Sequence, residues 1–246
     1  MNPRELTTRK VHAALEREPR INIHRHPIRI ESKDGAVTLE GEVADVAAKK
    51  LALNLASSAA AGADGVRGVV DRLRVAPGEA RGDGAVRDSL ARILLEQPEF
   101  RNCTLRMRTN ERILLLHEAK ADPVGEIEIS VTDGVIVLEG HVISVSHRLF
   151  AGVLAWWTPG RRDVINALAL EPRYEERDDE EVTEALRLAL EADPLLEADQ
   201  IRPHTRDWVV TLDGAVPTEE QRRRAELDAW SLAGVERVVN RLQVTG

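Results

Sequence analysis

The feature that most constrains this chain is a short acidic-glycine signature that occurs three times at the end of a strand-like pattern. It is Leu39-Glu40-Gly41 first, Leu138-Glu139-Gly140 second and Leu212-Asp213-Gly214 third. Before the first two signatures, an Asp-Gly pair divides two alternating runs, as in VTDGVIVLEGHV (131–142). Such a pair favours a tight β-hairpin, because glycine accepts the positive φ of a primed turn. The third copy has Asp207-Trp208 at this place, which predicts a turn of different construction.

Helical patterns lie on both sides of each signature. A run with apolar residues at helical spacing precedes it and ends near a proline, which cannot continue a helix. These runs cover 7–19, 85–98 and 179–194. A second helical run follows the signature, at 45–61, 144–157 and 218–233. The copy then ends in a strand that carries an Asp/Asn-x-Leu motif: Asp71/Leu73, Asn166/Leu168 and Asn240/Leu242.

The fold class predicted from this order is α+β, with three tandem α-β-β-α-β units. Each unit is expected to form a small mixed three-stranded sheet with two helices on one face. The predicted boundaries are 7–76, 85–170 and 179–245, because a repeat changes the domain count that length alone suggests. The glycines of the repeated motifs are expected to have structural tasks, at turns or close approaches. They are Gly35, Gly41, Gly134, Gly140, Gly214, Gly65 and Gly234.

The second copy contains an insertion at about 98–125. Within it TLRMRT alternates and RILLLHE is a short apolar run, so the two segments could pair as a hairpin. Two interpretations stay open: an extension of the middle sheet, or an interaction edge specific to this protein. The charge run at 171–181 is expected to be a solvated linker.

The repeated unit, with its V-x-x-G-x-V-x-L-x-G-x-V pattern and later G-V and V-x-N-x-L-x-V motifs, resembles the BON domain. VTDGVIVLEGHV in the second copy and GVERVVNRLQV (234–244) in the third carry the resemblance most fully. The resemblance implies a bacterial, non-catalytic module of the cell envelope, with proposed phospholipid association and a potassium-binding relative. It predicts a non-enzymatic binding or scaffolding protein without a cofactor. The alternative is a stress sensor that binds a small ligand or a potassium-like ion.

Charge and composition restrict the partners. The net charge is −8, and residues 173–246 alone carry 10 basic and 18 acidic side chains. Nucleic-acid binding needs a basic face, so it is not expected. A protein partner or self-association is expected instead, with a membrane surface as a further possibility. The N-terminal residues lack the apolar stretch of a secretory signal, which predicts a cytoplasmic location, or a periplasmic one if a signal has been removed.

No constellation in the sequence predicts catalysis or a metal site. Glu40, Glu139 and Asp213 occupy one position in three separate copies, whereas catalytic carboxylates must converge on one substrate. A polar strand face is the expected role of these acids, with a cation site in one copy as the alternative. His24 and His26 have metal-like spacing but no cysteine or third histidine nearby, so no metal is predicted.

The most unusual segment is LFAGVLAWWTPGRR (149–162), because its apolar residues cover more than one side of a helix. Such a helix is expected to be buried on several sides. The segment therefore predicts an interface between copies or between chains. A membrane anchor is the alternative, with tryptophans at headgroup depth. The candidate interface residues are Phe150, Trp156, Trp157, Arg161 and Arg162.

Overall fold

Helices cover one face of each of three mixed β-sheets, which confirms the predicted α+β class and the threefold repeat. A computed structural model describes residues 3–63, 66–109, 112–120, 123–170 and 179–246. The chain divides into two compact units, a first unit of residues 1–76 and a second unit of residues 77–246. The second and third copies of the repeat thus lie in one unit. Gly65 and most of the predicted 171–181 linker lie outside the described residues.

The first unit is one copy of the repeat. Its sheet has the order β1-β2-β3, in which β1 and β2 form the antiparallel hairpin and β2 and β3 run parallel. Alternation places Val37 and Leu39 of the middle strand in the core, where they are fully buried. The elements are α1 (Pro3–Glu16), β1 (Ile28–Lys33), β2 (Ala36–Val43), α2 (Val46–Ala60) and β3 (Gly68–Val75).

The second copy has a five-stranded sheet of order β5-β4-β6-β7-β8. The predicted hairpin of the insertion is confirmed, because β4 pairs antiparallel with β5. Strand β4 also pairs parallel with β6, so the insertion extends the sheet by two strands. The elements are α3 (Asp83–Glu96), β4 (Cys103–Arg108), β5 (Ile113–His117), β6 (Gly125–Thr132), β7 (Val135–Val142), α4 (Val145–Trp157) and β8 (Asp163–Leu170).

The third copy repeats the order of the first, but its last strand is divided in two. Strand β10 pairs antiparallel with β9 and parallel with both β11 and β12. The break falls at Arg241 and Leu242, directly after the Asn240 of the repeated motif. The elements are α5 (Asp179–Ala192), β9 (Ile201–Arg206), β10 (Val209–Val216), α6 (Glu219–Ser231), β11 (Arg237–Asn240) and β12 (Gln243–Val244).

All three hairpins have the same turn, so the prediction of a different turn in the third copy is wrong. Asp207 and Trp208 have φ of 50° and 61°, matching the positive φ of both residues in the Asp-Gly turns. The left-handed conformation costs a non-glycine residue energy, which the surroundings must offset. The Trp208 ring lies against Gly234, where any side chain would collide with it. The carboxylate of Asp179 accepts hydrogen bonds from both turn amides, at 2.8 and 3.4 Å.

The signature glycines have a steric task. Gly41, Gly140 and Gly214 have φ of 142°, 120° and 126°, which side chains rarely adopt. A Cβ at any of the three would overlap a carbonyl oxygen of the adjacent strand end, as at Gly140 with Glu126. The signature therefore marks the point where two strands approach too closely for any other residue. In the first copy, Gly62 also has a positive φ of 76° after the second helix.

The Asp/Asn-x-Leu motif fastens the last strand to the second helix. The amide of Asn166 donates to the carbonyl oxygen of Arg148 at 2.6 Å, and its Oδ1 accepts from the backbone N–H of Leu168. Asn240 makes the same two bonds in the third copy, to Arg222 and Leu242. The motif is thus a strand–helix clamp, not a ligand site.

The first copy builds this clamp with a charge pair. Asp71 accepts from the backbone N–H of Leu73, but a carboxylate cannot donate to the helix. Lys49, at the helix position of Arg148, donates to Asp71 at 3.0 Å and to the Leu73 carbonyl oxygen at 2.7 Å. Lys49 is buried, so the ion pair replaces the amide bond of the other copies.

We predict that Gly140→Ala lowers the free energy of unfolding by about 1–3 kcal/mol. Alanine is strained at this positive φ, and its Cβ would overlap the carbonyl oxygen of Glu126. Urea denaturation of the full chain measures this. Gly78→Ala is the matched control, since no atom lies within 4 Å of the position that its Cβ would occupy. Equal stability of the two variants would contradict the steric role.

We predict that Lys49→Met lowers the stability of the first unit by about 1–3 kcal/mol, because it leaves Asp71 without its partner. Adding Asp71→Asn should recover most of the loss, since asparagine can donate to the carbonyl oxygen of residue 49. Hydrogen exchange of the β3 amides in the full chain reports both changes. A double variant as unstable as Lys49→Met would show that the clamp is not interchangeable.

Candidate functional site

Helix α4 lies at the centre of the second unit and is buried on nearly every side. Helices α3, α5 and α6 and strand β8 all pack against it. The Phe150 ring stacks on Phe100 with centroids 5.8 Å apart, and Trp156 is buried. Because α5 and α6 belong to the third copy, α4 joins two copies of the repeat.

The N-terminal end of α4 is held by an acid of the third copy. Glu181 on α5 accepts a hydrogen bond from the backbone N–H of Ser146 at 2.8 Å. A carboxylate at this end is favoured by the helix dipole and occupies a donor that has no partner within the helix. Ser144 caps the same turn through the N–H of His147, and burial lowers the pKa of His147.

The C-terminal end of α4 reaches a second acid of the third copy. The indole N–H of Trp157 donates to Oδ1 of Asp228 on α6 at 2.8 Å. Asp193, directly after α5, lies beside Asp228 and forms an ion pair with Arg224. Both acids are buried, with 2% of Asp193 and 3% of Asp228 exposed. We call Asp193 and Asp228 the carboxyl pair.

Burial raises the pKa of Asp228 well above its ordinary value, and the negative charge of Asp193 raises it further. The hydrogen bond from Trp157 and the charge of Arg224 act in the opposite direction. The Oδ2 atom of Asp228 is buried and accepts no hydrogen bond from the residues that the structure describes. The geometry accounts for the raised pKa of Asp228, because two buried carboxyl groups lie side by side with one arginine beside them.

The structure places the five candidate interface residues as follows. Phe150 and Trp156 lie in the packed centre, and Trp157 is bonded to Asp228 of the third copy. Arg161 and Arg162 are half-buried after α4, and the backbone N–H of Arg162 donates to the carbonyl oxygen of Gly134. The Trp157 side chain thus faces α6 of the third copy. In the described part of the chain no helix has the length and apolarity that a membrane crossing requires.

The repeated acids lie on separate strands and have local partners. Asp213 lies between His204 and Arg241, at 3.7 and 4.0 Å, and Glu40 lies 3.9 Å from Arg29 in the first unit. Glu139 is exposed on β7. Across the described ranges, no group of three or more His, Cys, Asp or Glu side chains is arranged to hold a metal ion. The predicted role as a polar strand face agrees with these positions.

One surface was not singled out by sequence reasoning: the face of the five-stranded sheet opposite the helices, here called the outer face. Two ion pairs cross it between β4 and β6, Arg106 with Glu126 and Arg108 with Glu128. Exposed aliphatic side chains lie at its two margins. They are Ile113 and Leu115 on β5, 48% and 55% exposed, and Ile165 on β8, 49% exposed. The alternation in TLRMRT and EIEIS was the signal for this face, but strand order was needed to assemble it.

Comparison with known proteins identifies the repeat. The family model of the BON domain matches residues 4–77, 112–172 and 178–246. No curated protein sequence matches the chain. A solved C-terminal domain of CdsD, the structural protein of the type III secretion system of Chlamydia trachomatis, is 15% identical with a TM-score of 0.24, covering 97% of this chain and 96% of that one. A second CdsD structure is 15% identical with a TM-score of 0.26, covering 96% and 91%. A likeness at these TM-scores does not extend to function.

We predict that Asp228→Asn stabilises the protein at neutral pH. In the unfolded chain Asp228 titrates near 3.8, and in the folded chain its pKa is raised. The stability from its protonated form is therefore complete below the unfolded pKa and is lost as pH rises through the folded pKa. Asparagine stays neutral and can keep the bond from Trp157. The gain should be about 1.4 kcal/mol per unit of pKa shift and should vanish towards about pH 4.

Thermal unfolding across a pH series measures this difference, with the exposed Asp199→Asn as control. A stability of Asp228→Asn that follows the unmodified chain at every pH would contradict the raised pKa of Asp228.

Proposed function

The chain belongs to the BON domain family, and from this premise we propose that it is a non-catalytic binding or scaffolding protein whose partner is another protein. The repeated signature residues support this proposal, because their tasks lie within the fold. Gly140 admits a close approach of two strands, and Asn166 clamps a strand to a helix. These repeated positions are thereby accounted for without a reaction.

The observation that carries the proposal is the open outer face of the five-stranded sheet. The opposite face is covered by α3 and α4 over β4, β6, β7 and β8. The outer face combines a crossed pair of Arg–Glu bridges with exposed aliphatic side chains at its margins. Protein interfaces use such rigid apolar anchors for affinity and paired charges for orientation.

A phospholipid surface is less well matched to this chain than a protein. The tryptophans of α4 do not project into solvent, because Trp156 is buried and Trp157 is hydrogen-bonded to Asp228 within the second unit. The net charge of −8 repels the anionic lipids of a membrane surface. Lipid association, which the BON family suggests, would have to use another surface.

A second candidate function is the binding of a hydrated cation or small polar ligand, which one cavity of the third copy favours. The cavity has a volume of about 620 Å³, and its lining includes Glu191, Glu197 and Asp199 together with Ala215 and Val216 of β10. Carboxylate and carbonyl oxygens are the ligands that hard cations prefer. Binding of K⁺, Na⁺ or Ca²⁺ to the native state would raise the Tm at millimolar ion, and an unchanged Tm would eliminate this candidate.

We predict that Ile165→Glu removes partner binding at the outer face. The immobilised full chain should capture a specific set of proteins from cells that express it, and the variant should retain them at least ~10-fold less, because a buried apolar anchor is lost. Val244→Glu, a similarly exposed aliphatic position on β12, is the control and should capture the same set as the unmodified chain.

Co-sedimentation with phosphatidylcholine vesicles, with and without phosphatidylglycerol, separates the membrane alternative. The proposed function would be contradicted if the chain binds vesicles and Ile165→Glu captures the same proteins as the unmodified chain.

A further inference from the structure

Strand β5 carries no lysine, arginine or acidic residue, and its pairing with β4 has one register shift, opposite Leu105 and Arg106. Exposed edges present unpaired backbone groups, and proteins usually guard them with charged residues, proline or bulges. Among the described edge strands of five or more residues, β1, β3 and β9 carry exposed charged side chains, whereas Asp163, the charged residue of β8, is buried. Strand β5 is Ile-Leu-Leu-Leu-His, with Ile113 and Leu115 exposed on the outer face.

A groove on the helix side runs beside this edge. It has a volume of about 410 Å³ between α3 and the strands β4 and β5. Its apolar lining comes from Ala91 and Leu95 of α3, Met107 of β4 and Leu116 of β5. A strand added to β5 would direct every second side chain to this side of the sheet, beside the groove. The added strand therefore needs apolar residues at alternate positions.

We propose that the occupant of this edge is the β5 strand of a second copy of the chain, paired antiparallel across a twofold axis. Leu115 would lie opposite its own counterpart on the outer face. Leu114 of each copy would lie opposite Leu116 of the other beside the groove, at the register shift between β4 and β5. The two five-stranded sheets then form one continuous sheet of ten strands.

Charge complementarity selects this arrangement. Arg112 precedes β5 and Glu118 follows it, three residues either side of Leu115, and both are exposed. Antiparallel pairing about Leu115 brings the basic end of each strand beside the acidic end of the other. Parallel pairing would bring the two arginines together and the two glutamates together, which is unfavourable. An isologous twofold contact also closes after two copies, which prevents open-ended growth.

This pairing shares the β5 margin with the proposed partner surface, and the two are distinguished by Ile165 at the other margin. The pairing uses the β5 margin of the sheet and leaves Ile165 open. A chain that dimerises but captures no partner would contradict the proposed function alone, and a monomeric chain that captures partners would contradict the β5 pairing alone.

Light scattering after gel filtration of the full chain tests the pairing over a concentration series. The unmodified chain should reach the mass of a dimer, and Leu115→Lys should raise the dimer Kd by ~100-fold or more, because the lysine enters the contact twice. Ile165→Lys is the matched control, an equally exposed aliphatic residue on the other margin, and should dimerise normally. A monomeric unmodified chain, or a dimeric Leu115→Lys variant, would overturn the pairing.

Two further variants fix the register and remain informative if Leu115→Lys does not fold. Leu115→Cys should form an intermolecular disulfide on mild oxidation, because paired strands bring the two Cα atoms within disulfide range. The native Cys103 does not compete, since it is buried and burial raises the pKa of its thiol to about 11. Ile165→Cys should form no intermolecular disulfide, so a non-reducing denaturing gel should show it only at the mass of a single chain. Equal cross-linking of the two would overturn the register.

A charge exchange tests the strand ends. Arg112→Glu and Glu118→Arg should each weaken the dimer, and the double variant should restore it. A double variant as weak as either single one would overturn the antiparallel alignment.

Discussion

The second unit depends on the burial of α4. A helix that is apolar on nearly every side needs a neighbour on every side, and one small sheet can cover only part of it. The third copy supplies the rest through α5 and α6. Its acids also bind the two ends of the helix, Glu181 at Ser146 and Asp228 at Trp157. Packing holds the copies together, and the hydrogen bonds at the two ends fix how α4 sits between them.

This use of α4 decides which surfaces remain for partners. The first unit shows the same repeat with a different second helix, whose buried residues are mostly alanines, such as Ala52 and Ala56. Small side chains allow α1 to pack closely on α2 within a single copy. In the second copy the bulky Phe150 and Trp156 require a larger shell. With the helical faces occupied, the sheet faces and edges of the second unit carry most of its large exposed apolar residues, namely Ile113, Leu115, Ile165 and Val244.

The sequence predicted those parts of the fold that depend on local periodicity. The hairpins, the crossover helices and the β4–β5 pair follow from alternation and turn residues, and the signature glycine follows from its position at a strand end. The left-handed Trp208 could not be predicted, because Asp179 and Gly234, which stabilise its turn, are distant in sequence. The carboxyl pair was missed for a related reason. Asp193 and Asp228 resemble ordinary surface acids until a neighbouring copy buries them.

The insertion shows how an added hairpin changes the role of an edge. In the first and third copies the hairpin's first strand, β1 or β9, is an edge strand and carries charges, among them Arg29 and Arg202. Its counterpart in the second copy, β6, is internal, and β4 meets its charges with Arg106 and Arg108.

Charges that guard an edge elsewhere thus become cross-strand pairs. The edge strand on this side of the sheet is now β5, which contains no lysine, arginine or acidic residue. If an edge strand is left apolar while the residues flanking it carry opposite charges, pairing is favoured in one direction. This combination distinguishes a contact surface from an unprotected edge.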